Sequence, residues 1–167
     1  MAKNKQRNEY QNHHTNPWLY SAKIGFFAGL IWGIVRWMFY EMKFTNVLPG
    51  FAADPFFQAS FLKTAWGEVV GIGFFVIFSI VAAIIYKVAL GRLRGPWPGL
   101  LYGAAWWAIL FAAVGPMLGI MEGVRKAGWN TLYTELCVFL LWGVFIGYSI
   151  AFEFTDEASR EPIKLQS

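Results

Sequence analysis

Val69-Val70-Gly71-Ile72-Gly73-Phe74-Phe75-Val76-Ile77-Phe78-Ser79-Ile80-Val81-Ala82-Ala83-Ile84-Ile85-Tyr86 contains no charged residue. An α-helix of about 20 such residues crosses about 30 Å of hydrocarbon and satisfies its backbone hydrogen bonds within itself. The stretch therefore reads as a membrane span. Gly95 to Met121 is a second uncharged run. Two flanking apolar segments complete a set of four spans, at about 24–40, 66–86, 99–121 and 131–152. A cleaved signal peptide is the alternative for the first, but Phe39-Tyr40-Glu41-Met42-Lys43-Phe44 offers no small-x-small cleavage site, which favours an anchor helix.

Composition agrees. Of 167 residues, 57% are hydrophobic and 14% charged, against about 45–50% and about 25% in a soluble domain. Collagen-like, coiled-coil and disordered classes fail for want of a glycine period, heptads or polarity. The single cysteine, Cys137, excludes an intramolecular disulfide and any multi-cysteine metal site. The expected fold is all-α: a polytopic membrane protein, an antiparallel four-helix transmembrane bundle with a short interfacial outer helix. Residues 1–16 read as a disordered basic cytoplasmic tail, 17–153 as the transmembrane domain and 154–167 as a cytoplasmic tail.

Orientation follows from the basic residues. With the N-terminus inside, Lys3, Lys5, Arg7, Lys23, Lys87, Arg92, Arg94, Arg160 and Lys164 are cytoplasmic, and Lys43, Lys63, Arg125 and Lys126 are outside. That excess favours two cytoplasmic termini, and it accounts for the net charge of +4 without nucleic acid. Trp18, Tyr20, Tyr86 and Trp97 then fall near the inner interface, and Trp37, Tyr40, Trp66, Trp129 and Tyr133 near the outer one. Gly91 to Pro98 reads as a rigid turn. In the aromatic loop from Glu41 to Lys63, Asp54 can cap a helix that begins at Pro55 and sets Phe57 and Phe61 on one face in the interface. Trp66-Gly67-Glu68 and Tyr133-Thr134-Glu135 open the second and fourth spans alike, a short match that leaves a duplicated hairpin open.

Small residues recur at four-residue spacing: Gly25, Gly29 and Gly33; Gly67 and Gly71; Gly115, Gly119 and Gly123; Gly143, Gly147 and Ala151. Such stripes let helix backbones approach closely, within one bundle or between copies. Gly29→Leu separates the two uses, unfolding the chain in the first and shifting only its oligomeric mass in the second. The second pattern is an ionisable set at one depth: Arg36, Glu68, Glu135, Glu122 and Arg125. Arg36 inside a span needs a carboxylate, and Glu68 and Glu135 are its candidate partners. The cluster is either a register lock or an outward-facing polar cavity for an ion, a proton or a lipid head group.

Other features are bland. His13-His14 lacks further ligands, Cys137 reads as a buried structural thiol, and Pro116 predicts a kink. Tyr148 and Ser149 can bond across helices or to their own backbone. No GxSxG, GxxxxGK[ST], HExxH or GxGxxG pattern occurs, so no enzyme class gains support, and no cofactor is expected.

The run Asn130-Thr131-Leu132-Tyr133-Thr134-Glu135-Leu136-Cys137, followed by Gly143-Val144-Phe145-Ile146-Gly147-Tyr148-Ser149-Ile150-Ala151-Phe152-Glu153, resembles the YqhR family of small integral membrane proteins of spore-forming Gram-positive bacteria. Phe44-Thr45 with its loop, and Leu101-Tyr102-Gly103 through Trp107, extend the likeness. The resemblance implies a membrane protein without an assigned activity, cofactor or partner, and it transfers no functional residue. The expectation is a non-enzymatic structural or assembly partner in the bacterial plasma membrane, alone with lipid, as a homo-oligomer or with another membrane protein. The alternative is a small channel or transporter subunit that uses the Arg/Glu cluster.

Overall fold

Asn16 starts the first helix. Its side chain accepts from the Trp18 N–H at 3.4 Å, and Pro17 follows at the first helical position, where its missing donor costs nothing. The structure, a computed structural model, describes residues 16–53, 56–91, 93, 95–117 and 128–160. Its helices are α1 (Pro17–Glu41), α2 (Ala59–Leu62), α3 (Ala65–Leu90), α4 (Trp97–Met117) and α5 (Trp129–Arg160), with a 3-10 turn at Phe51–Ala53. Four of them are long and apolar enough to cross a membrane. α1 starts at Pro17 rather than Ile24, and α5 runs on to Arg160, through the beginning of the expected C-terminal tail. Polar helix ends carry no hydropathy signal, so the apolar run understates both.

The helices pack as two antiparallel hairpins. α1 lies along α3, α4 lies along α5, and α5 also packs on α1 and, less extensively, on α3. Glycines set both close approaches. A Cβ on Gly25 would sit 2.6 Å from Ile80 Cα, one on Gly29 2.6 Å from Val76 Cα, and one on Gly33 3.2 Å from the Ile72 side chain. In the other hairpin, Gly143 faces the backbone of Gly103, and Gly147 faces that of Gly99. The α1 and α5 stripes therefore serve packing inside the chain. The α5 glycines' partners on α4 are Gly99 and Gly103, outside the α4 stripe read from the sequence, of which Gly115 is buried and Gly119 and Gly123 lie beyond the described residues. Gly67 and Gly71 face no helix of the bundle. Gly67 abuts Leu62 and Gly71 abuts Gly50 and Pro49, so this stripe admits the loop backbone.

Aromatic rings join the hairpins. Trp142 on α5 stacks on Phe78 of α3 at 5.7 Å and on Tyr102 of α4 at 6.2 Å, and its indole N–H donates to Ser79 Oγ at 2.9 Å. Tyr86 is fully buried, 5.1 Å from Tyr102 with its hydroxyl against Gly147. Gly147 makes room for it, since a Cβ there would meet the Tyr86 ring and hydroxyl. In α4 the turns at Ile109–Val114 widen to a π-helix just before Pro116. Proline lacks the N–H and crowds the preceding turn, so the expected disturbance takes this form.

α1 ends in a Schellman motif. Lys43 adopts φ 62°, its N–H bonds Tyr40 O at 3.0 Å, the Phe44 N–H bonds Phe39 O at 2.9 Å, and the Phe39 and Phe44 rings meet at 5.9 Å. A lysine there is strained, so Lys43→Gly is expected to raise stability by about 1 kcal/mol, measurable as a higher thermal midpoint in detergent. The loop that follows turns back onto the bundle, burying Val47, Phe51, Ala53 and Leu62. The interfacial helix expected from Pro55 is reduced to the single turn of α2. Asp54 and Pro55 lie outside the described residues, although the Phe57 and Phe61 rings do stack at 5.5 Å.

Candidate functional site

Arg36 comes one turn after Gly33, so it lies near the face of α1 that meets the bundle, where it is buried. Its Nε donates to Glu135 Oε2 at 2.8 Å, and the two side chains are 3% and 1% exposed. Glu135 is thus the carboxylate that the intramembrane arginine required. Glu68, the other candidate, accepts from the Trp37 indole N–H at 2.9 Å on a more exposed side of α1. The separation follows from helix geometry: adjacent residues such as Arg36 and Trp37 point about 100° apart. Glu122 and Arg125 lie outside the described residues, as do His13 and His14.

Three phenylalanines from three elements enclose the guanidinium. Its Cζ lies 4.5 Å from the ring centre of Phe51, 5.3 Å from Phe75 and 5.9 Å from Phe139. Ring faces attract a cation most where water is excluded, so this cage replaces part of the lost hydration. The loop supplies the second hydrogen bond to the acid: Thr45 Oγ1 donates to Glu135 Oε1 at 2.9 Å and itself accepts from the Val47 N–H at 3.2 Å. Thr131, one turn before Glu135, accepts from the Asn46 N–H at 3.3 Å. Thr45 and Thr131 were not singled out from the sequence. Their signal was slight, since each is a hydroxyl beside an apolar run that can bond its own backbone as well as a distant acid.

The cluster closes one end of the bundle by tying α1, α5 and the loop together. Both oxygens of Glu135 accept hydrogen bonds, Oε2 from Arg36 and Oε1 from Thr45. Among the described residues, no three His, Cys, Asp or Glu side chains gather as metal ligands would. Cys137, expected to be buried, is exposed on the bundle surface. Two residues along a helix turn the side chain by about 200°, so a buried Glu135 sends Cys137 outward. Tyr148 is also exposed and stacks on Phe152 at 6.0 Å, and it is the Ser149 carbonyl that bonds across helices, accepting from Tyr20 at 3.3 Å.

No solved structure matches the chain. A protein of Bacillus subtilis (strain 168) described as uncharacterized protein YqhR is 32% identical over 158 residues, spanning 95% of this chain and 89% of the relative. The family model for the conserved membrane protein YqhR matches residues 2–164, which takes in the α1, loop and α5 residues that build the buried ion pair. On a match of that extent, over four helices suited to a bilayer, the chain belongs to the YqhR family of conserved membrane proteins.

Proposed function

We propose that the protein is a non-enzymatic structural or assembly partner in the bacterial plasma membrane, with both termini in the cytoplasm. The observation that supports this most is the closure of the Arg36–Glu135 pair beneath the loop. A transport site needs polar groups that an ion can reach from water, and a catalytic site needs a group free to exchange protons. Among the described residues, Arg36 and Glu135 are spent on one another and on the loop. Around the same end, Phe44, Phe56, Trp66, Trp129 and Tyr133 remain exposed, an aromatic rim suited to the head-group region and to a protein docked there. The basic-residue count supports placing this rim outside.

Crosslinking in native membranes, with a photoreactive residue at Phe56 and mass spectrometry of the adducts, tests the reading. A defined protein partner, or a second copy, is the expected product, and reporters fused at either terminus are expected to score as cytoplasmic. Ion flux through proteoliposomes of the purified chain that disappears in Arg36→Gln would replace the proposal with the channel reading.

A further inference from the structure

The loop between α1 and α3 does not stay above the helices it joins. Gly71 lies six residues past Ala65, the first residue of α3, which is about 9 Å along the helix at 1.5 Å per residue. A Cβ there would strike the backbone of Pro49 and Gly50. Phe74 is three residues deeper, and the rings of Phe56 and Phe57 lie 5.7 and 6.0 Å from its own. Its ring leans toward the start of α3, which brings that meeting close to the level of Gly71. Gly71 and Phe74 both belong to the uncharged run 69–86 that marks the span. The chain thus descends beside α3 and returns at Leu62, which abuts Gly67, one turn above Gly71.

We propose that residues 45–62 are a re-entrant segment seated within the bilayer beside α3, with Phe56, Phe57 and Phe61 against the acyl chains of that leaflet. Irregular backbone at membrane depth requires that protein cover it and that its polar groups find partners. Pro49, Gly50, Phe51 and Ala53 are buried. The N–H groups of Phe51, Ala53, Phe56, Phe57, Phe61 and Leu62 bond carbonyls three or four residues back, at 2.8–3.2 Å. Between Lys43 and Lys63 the sequence carries one charge, Asp54. The outer side of the segment is apolar where it meets α3: Phe56 is 72% exposed, Phe57 and Phe61 are exposed as well, and α3 exposes Val69 above Phe74 and Ile77 below it. Open phenyl rings at this level gain free energy in hydrocarbon and lose it in water. Lipid then backs the same segment whose Phe51 ring covers the Arg36 guanidinium. The depth holds for either orientation of the termini and for any partner that the protein serves.

Spin labels on the full chain test it, in vesicles of phosphatidylethanolamine and phosphatidylglycerol. Cys137→Ser removes the native thiol, and single cysteines then carry a nitroxide at Phe56 or Phe57, with Val69 on α3 as the reference within the span and the exposed Lys63 as the reference outside it. Collisions with oxygen, which concentrates in hydrocarbon, are compared with collisions with a water-soluble nickel chelate. The ratio of oxygen to nickel collisions at Phe56 and Phe57 is expected to match Val69 and to exceed Lys63 several-fold. A ratio at both positions equal to that of Lys63 would place the segment in water and overturn the proposal. Labels shielded from oxygen and nickel alike would mean that a protein or a second copy, and not lipid, covers the phenylalanines, which overturns it too. Phe56 is the most exposed of the three rings, so its label is read even if Phe57→Cys disturbs the stacking on Phe61.

Discussion

Glu135→Ala is expected to lower the unfolding free energy in detergent by about 3–5 kcal/mol, the cost of leaving a buried charge without its partner. The Arg36 guanidinium would remain among Phe51, Phe75 and Phe139, whose ring faces only partly replace a carboxylate. Removing Arg36 as well takes away the stranded charge, so the double variant Arg36→Ala with Glu135→Ala should lose far less than the two single losses combined. Glu68 provides the control. Its partner is Trp37, so Glu68→Ala should cost within about 1 kcal/mol and add independently to Arg36→Ala. Chemical unfolding followed by circular dichroism measures the three single variants and the two doubles. Additivity between Arg36 and Glu135 would mean that the pair does not couple the helices.

Gly143→Leu should be as damaging, for a steric reason. A Cβ at Gly143 would sit 2.6 Å from Gly103 N and 2.7 Å from Gly103 Cα, so the clash is with backbone and no rotamer relieves it. Overpacking of this kind costs about 1–3 kcal/mol per small insertion, and a leucine exceeds that because α4 and α5 must separate along their length. Loss of the wild-type elution peak on size exclusion, with the helix signal retained, is the expected result. Gly73 lies on α3 with nothing within 4 Å of an added Cβ. Gly73→Ala should therefore be neutral or stabilising by up to about 1 kcal/mol, through helix propensity alone. If both variants behaved alike, close backbone packing would not be what the Gly143 position supplies.

The difference between these glycines marks how far one chain can be read. Spacing at four residues found Gly25, Gly29, Gly143 and Gly147 because a stripe on one helix is a local property. It also drew in Gly67 and Gly71, whose neighbours are loop backbone, and missed Gly99 and Gly103, since no rule of one helix says what faces it. Arg36 behaved similarly. The requirement for a carboxylate was legible, because a charge in hydrocarbon is costly wherever it sits. The choice between Glu68 and Glu135 was not, since both open a helix at similar depth and differ only in rotation about helices whose relative placement the chain does not state.

Class and span number came from the chain alone: uncharged apolar runs of sufficient length leave the backbone no other way to cross a bilayer. The folding-in of the loop did not. Residues 44–53 look like an aromatic surface strip until Lys43 reverses the chain, Thr45 reaches Glu135 and Phe51 covers the guanidinium. The Lys43 turn is local, but the last two contacts join different elements, and their free energy depends on burial that exists only once α1, α3 and α5 have come together. Hydropathy is additive along a chain, so it can be summed in advance. A buried ion pair is a property of three elements at once.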